Sequence, residues 1–74
     1  MNVRKQLALN LRRLRDEKGW SQEEFAFESG IHRTYISGIE RGARNPTMTI
    51  LERLARALSV LPGELVDPPQ KRRR

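Results

Sequence analysis

The sequence contains no cysteine and one histidine. Without thiols there is no disulfide framework, zinc finger or iron–sulfur ligation, and one imidazole supplies neither a metal cluster nor a Ser/His/Asp array. Hydrolytic and metal-dependent catalysis are thereby disfavoured, and no cofactor is expected. Long apolar runs are also missing. Nothing approaches the roughly 18 residues of a membrane span, and Met1-Asn2-Val3-Arg4-Lys5 lacks the apolar core of a signal peptide, so the cytoplasm is the expected compartment. Period-2 alternation is absent, which removes strands, and there are no internal repeats.

What is present is basic. The 74 residues carry 15 Lys plus Arg against 9 Asp plus Glu, a formal charge of +6, which points to a polyanionic partner. Lys71, Arg72, Arg73 and Arg74 hold four of those positives, leaving residues 1–70 with 11 basic against 9 acidic side chains. A nucleic-acid surface on the body must therefore come from local clustering. Arg33, Arg41 and Arg44 lie close together along the chain, while Glu23, Glu24 and Glu28 precede them. The length allows one domain, which at this size buries only about 60% of the surface its unfolded chain exposes.

Apolar residues Val3, Leu7, Leu11 and Leu14 recur at spacings of 4, 4 and 3, predicting a first helix over 3–18 that Gly19 ends and onto which Trp20 folds back. Ser21 and Glu24 form a capping box that opens a second helix running to Gly30. A third helix is expected over 32–41, with Tyr35, Ile36 and Ile39 near one side and Arg33, Thr34 and Ser37 on the other. Gly42 and Asn45-Pro46 follow it. Thr47 caps a fourth helix whose apolar face is Ile50, Leu51, Leu54, Ala55 and Leu58. A short fifth runs from Pro62, placed where a lost amide costs nothing, to Val66. The expected organisation is an all-α domain over 1–69 followed by a disordered basic tail over 70–74.

Two short helices joined by a glycine-containing turn have the form of a helix-turn-helix, here at about 21–41. Counted from Gln22, the fifth residue is Ala26, small enough for a close crossing; the ninth is Gly30, in the turn; the fifteenth and eighteenth are Ile36 and Ile39, which bury the third helix. The run Ser21-Gln22-Glu23-Glu24, with Arg33 to Gly42 and Arg44-Asn45-Pro46-Thr47, resembles the phage repressor and Cro-like helix-turn-helix regulators over residues 5–67. It looks most like the controller proteins of restriction–modification systems.

That resemblance implies a five-helix, lambda-repressor-like domain binding operator DNA as a homodimer. The third helix enters the major groove, and Arg33, Thr34 and Ser37 read bases. Arg33 has the fork that matches guanine O6 and N7. Gln22, Arg44, Asn45 and Thr47 are expected on phosphates; Tyr35 either donates to phosphate, sits beside bases or packs on the core. His32 replaces the usual cap of the third helix and serves as cap or phosphate neighbour. The resemblance also pairs Glu40 with Arg15 as a structural ion pair, the alternative being a solvated glutamate.

Glu23 matches a position through which some members touch RNA polymerase, although the helix dipole alone accounts for an acid there. Phe27 replaces a polar residue, either as a contact surface or as a cover for the first helix. Leu61, Leu65 and Val66, with Val60, form an apolar cluster expected at the dimer interface unless the monomer absorbs it. No ligand-sensing domain, and hence no small-molecule ligand, is expected. An antitoxin or adaptor of the same fold, with a protein as its main partner, would keep that partner after Arg33→Ala. A nonspecific binder of RNA or membranes would lean on the tail, against which the near-balance of charge in residues 1–70 argues.

Overall fold

The computed structural model describes residues 2–68; the expected basic tail lies outside them. Five helices follow one another: α1 Val3–Glu17, α2 Gln22–Ser29, α3 Arg33–Glu40, α4 Met48–Leu58 and α5 Pro62–Val66. Among the described residues there is no strand, and no helix is long and apolar enough to cross a membrane.

Each boundary has a local cause. The Asn2 side chain accepts from the Lys5 amide at 3.1 Å and opens α1. Gly19, at φ +76°, closes it, and the Trp20 amide turns back to the Arg15 carbonyl at 3.2 Å. At α2 both halves of the capping box form, Ser21 Oγ accepting from the Glu24 amide at 3.0 Å and Glu24 Oε1 accepting from the Ser21 amide at 2.8 Å. His32 Nδ1 accepts from the Thr34 amide at 3.2 Å, so the imidazole caps α3. Thr47 Oγ1 caps α4 through the Ile50 amide at 3.2 Å. Ser59, which is not a glycine, takes the left-handed conformation at φ 61° that ends α4.

Leu11, Phe25, Ile36, Ile39, Leu54 and Leu65 are fully buried and bring all five helices onto one core. Trp20 packs on its margin, its ring stacked on Phe25 with centroids 5.9 Å apart. The stripe Leu7, Leu11 and Leu14 faces this core, and between them lies a polar residue, Asn10, with no exposed surface. Its Nδ2 donates to the carbonyls of Leu65 at 2.9 Å and Asp67 at 2.7 Å, near that of Glu64 at 3.3 Å. Its Oδ1 accepts from Gln6 at 3.1 Å. One amide thus serves the orphan carbonyls at the end of α5 and ties the last helix to the first.

Candidate nucleic-acid interface

The two helices α2 and α3 are joined by Gly30, Ile31 and His32. Gly30 adopts φ +73°, and its amide closes α2 on the Ala26 carbonyl at 2.9 Å. The Ile31 amide meets Ser29 Oγ at 3.2 Å while the Ile31 side chain enters the core. The turn is therefore bonded through and anchored by an apolar plug, which fixes the angle at which α3 leaves α2.

With Ile36 and Ile39 buried on one side, α3 turns Arg33 and Thr34 outward at its N-terminal end, both exposed and without a side-chain hydrogen bond or ion pair among the described residues. Ser37, one turn on, is half-buried, and its Oγ accepts from Arg41 Nη1 at 2.9 Å. Arg41 is thereby held on the same flank, a contact that its i+4 spacing from Ser37 signals.

Tyr35 is half-buried against the core, and the Arg44 guanidinium lies 5.1 Å from its ring centroid, a cation–π arrangement. Asn45 and Thr47 are exposed in the loop before α4, Thr47 with its capping oxygen engaged. Arg4 approaches the same loop from α1, Nη1 to the Gly42 carbonyl at 3.5 Å. Arg4, Arg41 and Arg44 thus gather along the second half of α3 and the loop after it.

Gln22, expected on a phosphate, also makes a bond inside the domain. Its Nε2 donates one N–H to Glu40 Oε1 at 3.0 Å, which fixes the side chain at the start of α2 and leaves its second N–H and its backbone N–H for an outside partner. The same carboxylate takes Arg15 in a two-pronged contact, Nε to Oε2 at 2.8 Å and Nη2 to Oε1 at 3.1 Å. Arg15 Nη1 donates to the Trp20 carbonyl at 2.8 Å. The Glu40 bond raises the Arg15 pKa above its ordinary value against the opposing effect of burial, so the guanidinium stays charged. The end of α1, the start of α2 and the end of α3 are joined through this one carboxylate.

A helix with a fully buried apolar side and an exposed polar end, with arginines along it and in the loop after it, set on a glycine turn against a partner helix of the same eight-residue length, is the arrangement that decides the family. The helix-turn-helix family model matches residues 11–65. The chain belongs to the helix-turn-helix family. Its relatives are DNA-binding transcription regulators, and the family is not enzymatic.

The fold of this helix-turn-helix protein is similar to that of a hypothetical transcription factor from Neisseria, with a TM-score of 0.87 and 44% identity over 92% of this chain and 78% of that one. Control protein C.BamHI of Bacillus amyloliquefaciens is 45% identical over 67 residues, 89% of this chain and 83% of the relative. The controller protein C.Esp1396I, solved as a tetramer with its natural 35-base-pair operator, gives a TM-score of 0.76 at 35% identity over 90% of this chain and 99% of that one.

The apolar residues expected at a dimer interface separate on this scaffold. Leu65 has no exposed surface and belongs to the domain's own core, so it is not available to a partner. A five-residue helix has one inward turn, and Leu65 occupies it. Val60 and Val66 are partly buried against the same core, while Leu61, which has no side-chain acceptor to cap α5, is 71% exposed. Phe27 is 85% exposed and therefore does not cover α1. Asn10 is the residue the sequence reading missed. Its signal is positional, because it stands three residues after Leu7 and four before Leu14 on an otherwise apolar stripe.

Proposed function

We propose that this regulator binds operator DNA sequence-specifically as a homodimer and controls transcription, as a restriction–modification controller does. In this reading α3 lies in the major groove, where Arg33, Thr34 and Ser37 meet base edges. Tyr35, Arg44, Asn45 and Thr47 contact phosphates, joined by Gln22 through its free side-chain N–H and its backbone amide. The dimer forms around Leu61, with Val66 beside it. Glu23, exposed in the first turn of α2, is the residue that would face RNA polymerase.

The observation that carries the reading is the outward, unpartnered pair Arg33 and Thr34 on a helix whose opposite side is sealed into the core. The operator complex of the similar controller protein supports it. Arg33 is exposed and its side chain bonds to none of the described residues, so Arg33→Ala leaves the melting temperature unchanged while costing about 1–3 kcal/mol of discrimination at one base pair in each half-site. Selection of bound sequences from a random duplex pool, followed by a single-mismatch panel for parent and variant, tests this. An unchanged base preference in the variant overturns the assignment of Arg33.

A further inference from the structure

We infer that Gly38 is a positioning residue for DNA binding: its bare Cα is the seat on which Arg44 lies, holding that guanidinium ready for a phosphate. This rests on the DNA-binding reading above. Gly38 stands inside α3, among the buried residues of that helix, and it is not one of the glycines with positive φ. Its backbone conformation is one that any residue adopts. Glycine is nevertheless the poorest helix former after proline, so its presence inside an eight-residue helix calls for a reason other than dihedral freedom.

The reason is on its surface. A Cβ built on Gly38 would stand 3.0 Å from both Cγ and Cδ of Arg44 and 3.2 Å from Nε, closer than carbon atoms pack. These are mid-chain atoms. They are held closer to the backbone than the tip of the side chain is, and that backbone is fixed: the Gly38 carbonyl accepts from the Ala43 amide at 2.9 Å and the Arg44 amide at 3.2 Å. Arg44 is thus bonded to Gly38 through its backbone, laid across it through its methylenes and stacked on Tyr35 through its guanidinium.

No guanidinium donor of Arg44 is spent on a hydrogen bond within the described residues, which leaves the planar fork for an outside oxyanion. Ordering a long side chain at an interface normally weakens binding by the rotamer freedom lost. Here the seat on Gly38 and the stacking on Tyr35 restrict that freedom before DNA arrives.

A methyl group at position 38 would lift Arg44 off the helix and off Tyr35. The test is a cycle of parent, Gly38→Ala, Arg44→Ala and the double variant, titrated as full chains against labelled operator duplex, with melting curves. Gly38→Ala is expected to weaken binding by about 3- to 10-fold, equally for matched and mismatched duplexes. In the Arg44→Ala background, where the three atoms nearest to a Cβ at position 38 are gone, it should leave binding unchanged and spare the domain the helix-propensity cost of glycine. Equal losses in both backgrounds, or a Gly38→Ala protein that binds like the parent, overturn the inference.

A readout without DNA separates this from failure of the DNA-binding reading. In the free parent the Arg44 side-chain proton resonances are displaced upfield by the Tyr35 ring, and Gly38→Ala returns them toward their random-coil positions. Undisplaced resonances in the parent overturn the seat itself. A parent that binds all duplexes alike overturns sequence-specific reading and leaves the seat standing.

Discussion

Replacing Glu40 with alanine removes the acceptor of three hydrogen bonds, two from Arg15 and one from Gln22. The side chains concerned are close to sealed, with 5% of the Glu40 side chain and 12% of that of Arg15 exposed, so the small magnitudes of surface ion pairs do not apply. Arg15 keeps the Trp20 carbonyl at 2.8 Å and a long contact to Asp16 at 3.6 Å, neither of which neutralises a buried guanidinium as Glu40 does. The cost of stranding one partner of such a pair is about 3–5 kcal/mol. A domain of this size has a total stability of about 4–11 kcal/mol, so the variant sits near the limit of folding. Its melting temperature should fall by about 12–40 °C. The fluorescence of Trp20, the one tryptophan, reports unfolding directly because it lies at this junction. The double change Arg15→Met with Glu40→Leu removes both charges and should recover most of the loss, falling short by the unpaired amide of Gln22. A Glu40→Ala protein melting within about 1 kcal/mol of the parent would behave as a surface ion pair does and would refute the reasoning.

Two further perturbations address the other end of the molecule. Leu61→Glu adds a charge to the most exposed leucine of the α4–α5 corner; it should leave the monomer's melting unaltered at low concentration, yield a monomer in sedimentation and abolish tight binding to a two-half-site operator. A dimeric Leu61→Glu protein places the interface elsewhere. Asn10→Ala leaves the carbonyls of Leu65 and Asp67 without their donor and should destabilise the domain by about 1–3 kcal/mol, with the amides of α5 losing hydrogen-exchange protection more than those of α2 and α3; uniform loss of protection across all five helices would contradict a local clamp.

Much of this arrangement was legible in the sequence because its boundaries are chemical. The three glycines at 19, 30 and 42 all take positive φ, the serine and threonine caps form as their spacing implies, and α5 begins at Pro62 and ends at Val66. What escaped depends on which of two near-equivalent positions faces inward. One turn of helix offers Leu61, Leu65 and Val66 no periodicity to choose by, and only packing on α1 and α4 selects Leu65. The bond from Gln22 to Glu40 escaped because the two lie 18 residues apart and the carboxylate was already assigned to Arg15. Ser59 escaped because a left-handed serine is an exception that no local pattern announces.

The Asn10 clamp also fixes an order of events. Its bonds to α5 span 54 to 57 residues, nearly the whole described chain, whereas the helix-turn-helix closes over neighbours in sequence. Contacts that enclose a long loop form after those that enclose a short one, since the chain must lose more freedom before they contribute. By loop-closure entropy, the pairing of α2 with α3 costs less to form than the docking of α5, and the corner that carries Leu61 is the last to be favoured. The surface around Leu61 thus acquires its shape only once the first helix has closed upon the last, and any pairing built on that surface waits on the closure.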